Sequence, residues 1–348
     1  MTRRALREYV SAYVDEVGSL RYADISSIQP PPYASLARGA GGIVYLLWRR
    51  GERRAARRWL AAARADRRRH AYQYTLDFPR SAFMYGTAGL HWLGALLETE
   101  GAVPAYVRAA SRLRDHSYMA GSAGYLTGAR ILLERGSHPG LHRRTTTLAS
   151  TLLAQVRDAR PWNRLESSGF AVRLPGLLHA LLAWHDFVGE DLPPWLVTAM
   201  HELVQAWTLD AVPTGFTATW CNGATGMVLL WVKAFASTND EQFLDAARRM
   251  AALALSEDEP RSILCCGLAG VAYSLLELAR HDPTNNNWRE QAFDIGVRAV
   301  AITRRTPLEW PNGLYLGHPG VVCLAADLLA DEPQGFPAIE ERVLRVGT

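Results

Sequence analysis

The chain has 348 residues, of which 49% are hydrophobic, and a formal net charge of +4. So small a charge gives no case for nucleic-acid binding, and no apolar run reaches the roughly 18 residues that a membrane-spanning helix needs. The first residues, MTRRALREYVSAYVDEVG, place charges among their apolar positions and contain no signal-peptide core, which predicts a cytoplasmic protein.

One short motif, two glycines separated by two residues, recurs along the chain, and an apolar stretch follows each copy. The seven copies are Gly39–Gly42, Gly86–Gly89, Gly121–Gly124, Arg173–Gly176, Gly223–Gly226, Gly267–Gly270 and Gly317–Gly320. In the fourth copy an arginine replaces the first glycine. The starts of the copies lie 35 to 52 residues apart, which is the period of one helix hairpin per repeat.

The stretches that follow the motifs are apolar on nearly all sides, which is typical of buried helices. Between them lie amphipathic stretches such as residues 142–158 and 240–257, which indicate an outer layer with one solvated face. No run alternates with period two between turn residues, so strands are not expected. We therefore predict an all-α fold in a single domain over residues 1–348, with seven inner helices ringed by seven outer ones.

A strongly basic stretch covers residues 49–70, where ten arginines stand against two acids. Two interpretations stay open for it: a solvated helix face, or a surface that docks an acidic peptide or partner. Lysine occurs at position 233 alone, so the arginine content also reflects coding bias.

Three of the four cysteines stand directly beside motif copies. Cys221 lies two residues before Gly223, and Cys265 and Cys266 immediately precede Gly267. If the copies sit at one level of the ring, these thiols converge from two neighbouring repeats. Three thiolates suit Zn²⁺ at about 2.3 Å per bond and leave one tetrahedral position open, as catalytic sites do. Cys323 lies in an apolar stretch and is interpreted as a buried small hydrophobe.

The seven repeats, with Trp-Cys-Asn-Gly in the fifth copy and Leu-Cys-Cys-Gly in the sixth, resemble the lanthionine synthetase C family from about residue 30 to 332. The resemblance implies an α/α toroid with a zinc ion at its centre. It also implies cyclisation of a dehydrated, ribosomally made precursor peptide, in which a cysteine adds across dehydroalanine or dehydrobutyrine to form a thioether ring. Cys266 stands where the family usually has histidine, a variant that the family also uses.

The acid/base residues of the family are not kept. Val172 stands where the family has a histidine before the fourth motif, Ser117 where it has an aspartate, and Thr217 where it has an arginine. Residues just before the motifs are expected to face the zinc. Such positions hold Arg38, Tyr85, Ser117, Arg173 and Tyr315.

Substitutes for the missing groups are predicted among polar residues near the motifs. Arg173 is a candidate to stabilise an enolate oxygen, and the candidate acids are Tyr85, Tyr315, His116 and His318. A structural role is the alternative for each of them. His91 and His179 lie on predicted inner helices and are interpreted as core histidines.

Three functions remain open on this sequence. The first is a zinc-dependent thioether cyclase, with a dehydratase or a decarboxylase of the same pathway as candidate partners. The second is a non-catalytic zinc scaffold that binds the modified peptide for another enzyme; the missing acid/base groups favour it and the retained ligands oppose it. The third is another zinc-containing toroid, such as a prenyltransferase subunit, whose mixed Asp/Cys/His ligands fit the Cys-Cys-Gly copy poorly.

Overall fold

A computed structural model describes residues 2–30, 33–69, 81–110, 113, 115–159, 169–206, 218–285 and 287–342. These residues form fourteen α-helices and one short 3-10 helix, Tyr22–Ser27, and contain no β-strand. None of the helices in these ranges is both long enough and apolar enough to cross a bilayer.

Every second α-helix belongs to an inner ring and begins at a motif copy. The inner helices are α2 (Gly41–Arg49), α4 (Thr87–Leu96), α6 (Ser122–Leu133), α8 (Leu174–Val188), α10 (Ala224–Thr238), α12 (Leu268–His281) and α14 (His318–Leu329). Each contacts the next, and α14 contacts α2, so the ring closes. Nearly all residues of these helices are buried, as their uniformly apolar sequences predict.

The remaining helices form an outer layer. They are α1 (Arg3–Ser19), α3 (Arg53–Arg69), α5 (Ala102–Ala110), α7 (Pro139–Ala159), α9 (Pro194–Ala206), α11 (Glu241–Ser256) and α13 (Asn287–Thr303). The helix α1 packs on α14, whereas α3, α5, α7, α11 and α13 pack on the inner helix that precedes each of them. The predicted toroid of seven inner and seven outer helices is confirmed.

The basic stretch predicted from the sequence falls largely on α3. Arg57 donates to the carbonyl oxygen of Leu97, Arg64 to that of Leu90, and Arg58 to that of Gly18. These acceptors lie in or beside α1 and α4, so part of the positive charge joins α3 to its neighbours. His70, the last residue of the stretch, lies outside the described residues.

At the centre of the toroid, the loops that precede the inner helices form a closed ring of seven backbone hydrogen bonds. In each repeat, the N–H of the residue two positions before the motif donates to the carbonyl of its counterpart in the next repeat, over 2.9–3.3 Å. The order is Ala37, Met84, Met119, Ala171, Cys221, Cys265, Tyr315 and back to Ala37. We call these seven residues the central ring. It fixes the register of every repeat against its neighbours.

The second glycine of the motif is required by close approach of the backbone. In six copies, a Cβ there would stand 2.0–2.4 Å from the carbonyl oxygen of the residue six positions earlier, as at Gly176 against Phe170. In the fourth copy, Arg173 is the N-cap of α8 and has a φ of −133°. Any L-residue adopts this extended backbone, so glycine is not required at the first motif position of that copy.

The interior of the ring is filled by residues 333–342, which we call the central plug. Phe336, Ala338 and Ile339 are fully buried. The Tyr118 hydroxyl donates to the Ala338 carbonyl over 2.6 Å, and Tyr45 accepts from the Ala338 N–H over 3.1 Å. These bonds hold Ala338 at φ of 60°, a conformation uncommon for alanine.

Charged side chains of several inner helices also bind the plug. Arg49 of α2 donates to the Gly335 carbonyl over 2.6 Å, and Arg130 of α6 donates to the Ile339 carbonyl over 2.7 Å. His179 of α8 lies 3.0 Å from Glu340. Because these contacts come from different sides of the ring, the plug lies on the axis of the toroid. His179 is buried, as the sequence predicts for a core histidine.

Candidate metal centre

The central ring brings three cysteine side chains together. Cys221 and Cys265 are adjacent members of the ring, joined by a hydrogen bond from the Cys221 N–H to the Cys265 carbonyl. The Sγ of Cys266 lies 3.3 Å from that of Cys221 and 3.2 Å from that of Cys265. Cys265 is buried, and Cys221 and Cys266 are partly exposed, so the cluster opens towards one end of the toroid.

The donor set fits a zinc ion. The three sulfur atoms all lie within 4.8 Å of one another, and tetrahedral zinc with bonds of about 2.3 Å holds its sulfur ligands about 3.8 Å apart. Small side-chain rotations would therefore seat the ion. The described residues contain no fourth His, Cys, Asp or Glu in this cluster, so one coordination position is left for another ligand.

The electrostatics of the cluster favour a cation. The three sulfur atoms lie so close that hydrogen bonds from Cys265 and Cys266 lower the pKa of Cys221. The same contacts with Cys221 raise the pKa values of Cys265 and Cys266. Three thiolates at these distances would repel one another, and a bound divalent cation would supply the positive charge that they need.

A guanidinium that the sequence analysis missed lies beside the thiols. Arg261 interacts electrostatically with Cys221 and Cys266. Its Nε and Nη2 donate to the two carboxylate oxygens of Glu259 over 2.8 and 2.9 Å, and Glu259 is buried. Arg261 stands four residues before Cys265, and Thr217 stands four residues before Cys221. This equal spacing in the two repeats could have identified Arg261 from the sequence.

Tyr85 faces the same cluster from the opposite side of the ring. It is 4% exposed, and burial, together with the negative charge that would form on Cys265, raises the pKa of its hydroxyl. The guanidinium carbon of Arg38 lies 5.0 Å from the centre of the Tyr85 ring and 4.3 Å from that of the Trp310 ring. Arg38 thus lies within cation–π distance of two aromatic rings, one of which, Tyr85, interacts electrostatically with the cysteines.

Two other candidate acids are engaged elsewhere. Tyr315 belongs to the central ring, but its hydroxyl donates to the Pro337 carbonyl of the plug over 2.8 Å. His318 stacks on Tyr13 of α1 with ring centroids 5.4 Å apart, and its Nδ1 lies 3.5 Å from the Tyr9 hydroxyl. Burial lowers the pKa of His318. Tyr315 still interacts electrostatically with Cys265, whereas no described contact joins His318 to the thiols.

The remaining predicted residues lie at the surface of the loops. Arg173, at the N-cap of α8, and His116 are exposed, and no described contact joins either of them to the cysteines. Val172 is 46% exposed. The hydroxyl of Ser117 accepts from the Ala120 N–H over 3.1 Å, as in an ordinary turn. Thr217 lies outside the described residues.

The molecule is thus an α/α toroid whose central loops bring together three thiols that could hold a metal ion. The family model for lanthionine synthetase C-like proteins matches residues 31–341. The chain belongs to this family, as the motifs predict.

Among solved structures, the chain is similar to nisin cyclase. The TM-score is 0.63, with 97% of this chain and 96% of that chain covered, at 13% sequence identity. At that identity the likeness shows the α/α toroid fold.

Proposed function

We propose that this protein is a zinc-dependent cyclase that forms thioether rings in a dehydrated, ribosomally made peptide. The observation that carries the proposal is the meeting of Cys221, Cys265 and Cys266 at the open end of a toroid of this family. Similarity to nisin cyclase adds support at the level of the fold. Zinc bound by these thiolates would lower the pKa of a peptide thiol and present it as a thiolate near neutral pH.

The reaction forms a bond between the peptide sulfur and the Cβ of a dehydroalanine or dehydrobutyrine. The electron pair of the double bond moves towards the adjacent carbonyl as an enolate, and Cα then accepts a proton. Overall, the thiol hydrogen is replaced by carbon and one hydrogen is gained at Cα. Tyr85 suits the proton delivery, because its buried hydroxyl stays protonated near neutral pH and interacts electrostatically with the three cysteines.

A second function is favoured by one observation. Val172, which cannot transfer a proton, is exposed where the family's histidine would stand. A non-catalytic scaffold would retain zinc and the modified peptide while a dehydratase, a decarboxylase or another partner of the pathway completes the chemistry. The cyclase proposal differs from it in expecting ring formation by the purified chain alone.

The test compares Cys221→Ala with Cys323→Ala, a matched control. Cys323 is buried in α14 and lies outside the thiol cluster. We expect Cys221→Ala to lose both bound zinc and ring formation, and Cys323→Ala to retain both. Zinc is measured by elemental analysis, and rings by mass spectrometry after alkylation of the free thiols in a dehydrated peptide. Unchanged ring formation by Cys221→Ala would exclude the cyclase mechanism, and zinc-loaded wild-type protein that binds peptide without cyclising it would favour the scaffold.

A further inference from the structure

The residues one position before the motifs directly follow the seven residues of the central ring in the chain. They are Arg38, Tyr85, Ala120, Val172, Asn222, Cys266 and Leu316. Cys266, one of these seven, carries a metal-ligand candidate. Arg38 is the one residue among them with a charged side chain.

Arg38 is held without an acidic partner. Its guanidinium lies within cation–π distance of the rings of Tyr85 and Trp310, and it forms no ion pair with any residue in the described ranges. Its Nε is buried and has no hydrogen-bond acceptor within those ranges. Arg261, the other cation near the thiols, is instead bound on two nitrogens by Glu259.

The N–H groups of Arg38 lie in the plane of its guanidinium, because that group is planar. Two aromatic faces stabilise the positive charge and fix the orientation of the plane, but supply no acceptor for its in-plane donors. Such a group is preorganised to donate hydrogen bonds to an oxygen that carries negative charge.

The central ring places Arg38 within reach of a substrate bound at the thiols. Hydrogen-bonded backbones lie about 4.8 Å apart, so the seven segments of the central ring have a circumference of about 34 Å and a diameter of about 11 Å. Tyr85, which contacts Arg38, interacts electrostatically with all three cysteines across this distance. A dehydroamino acid whose Cβ approaches the thiols would thus lie between them and Arg38.

We propose that Arg38 is a catalytic residue that binds the carbonyl oxygen of the dehydroamino acid as it becomes an enolate. This assignment rests on the proposed cyclase function. As the sulfur–Cβ bond forms, the electron pair of the Cα–Cβ double bond moves onto that oxygen, and Arg38 donates hydrogen bonds to it. The proton that later reaches Cα comes from another group, and Arg38 stays charged throughout.

The test measures kcat and KM for ring formation by Arg38→Gln and Arg38→Lys. We expect Arg38→Gln to lower kcat by about 10²- to 10³-fold, as removal of one oxyanion donor does, with KM little changed. Arg38→Lys should recover part of the loss because it keeps the charge. Zinc content should match the wild type in both variants. Both variants should also bind a saturated peptide, with alanine at the dehydroalanine position, as tightly as the wild type does, because that peptide forms no enolate.

The matched control is Arg135→Gln. Arg135 also stacks on an indole, with its guanidinium carbon 5.3 Å from the Trp48 ring centre, but it follows α6 at the end opposite to the thiols. It should keep the wild-type rate. An unchanged kcat in Arg38→Gln would overturn the assignment. A loss of zinc or of saturated-peptide binding as large as the loss of kcat would also overturn it, because it would indicate a structural role. Wild-type protein that forms no ring would overturn the cyclase function and this assignment with it.

Discussion

Cys266 makes the candidate metal centre an all-thiolate one. A thiolate donates more electron density to zinc than a neutral imidazole does, so a peptide thiolate bound in the fourth position should be held less tightly and react faster. We expect Cys266→His to keep zinc and to cyclise more slowly than the wild type. Single-turnover rates at matched zinc occupancy measure this difference.

The control for that substitution is Cys266→Ala, which removes the ligand altogether. It should lose zinc, because two thiolates and water bind the ion much more weakly. A Cys266→His variant that cyclises as fast as the wild type would show that the third sulfur has no influence on the rate.

Single residues differ in how far their roles followed from the sequence. Cys221, Cys265 and Cys266 were predictable as a group because the repeat register fixes where their backbones lie. The direction of a side chain depends instead on its packing. Tyr315 lies in the same ring, yet it binds Pro337, and His318 turns towards Tyr13. The register alone carries no information about these neighbours.

Among the elements, the central plug was the one that escaped prediction. The inner helices follow from the recurring motif and the apolar stretch after it, and the outer helices from amphipathic stretches, but PQGFPAIEER has neither feature. Its burial depends on partners such as Tyr118 and Arg49, which lie 220 and 286 positions away in the chain from the plug residues they bind. The sequence resemblance ended near residue 332 and gave no reason to place the next residues on the axis.

The plug should make stability depend on pH. Glu341 is 5% exposed and burial raises its pKa to about 8 from an ordinary 4.5, while Arg49 is shared between Glu341 and Asp327. A raised pKa means that the folded state binds the proton more tightly. The protonated Glu341 therefore contributes fully to the free energy of unfolding below about pH 4.5. This contribution, on the order of a few kcal/mol, is lost as the pH rises towards about 8.

We expect Glu341→Gln to flatten this fall in the free energy of unfolding, measured by denaturant titration at several pH values. The neighbouring Glu340 is the matched control. Its side chain is 21% exposed, and Lys233 and His179 hold its pKa well below the usual range, so its charged form stabilises the fold. Glu340→Gln should thus lose stability at neutral pH. A Glu341→Gln variant with the wild-type slope would contradict the prediction.

For the whole molecule, closure of the central ring has a thermodynamic consequence. An open array of repeats can unfold from its ends, because each unit contacts its neighbours alone. Here the hydrogen bond from Tyr315 to Ala37 joins the last repeat to the first. No repeat of the ring is therefore a free end, and each is hydrogen-bonded to a repeat on either side. The plug in addition contacts helices on different sides of the ring.

We therefore expect one cooperative melting transition despite the length of the chain, with a calorimetric enthalpy equal to the van't Hoff enthalpy. Scanning calorimetry measures both, and two resolved heat-absorption peaks would contradict this expectation. Because Cys221 and Cys265 are themselves links of the ring, their separation breaks it. Thermal release of the metal and loss of the fold should then occur as a single event.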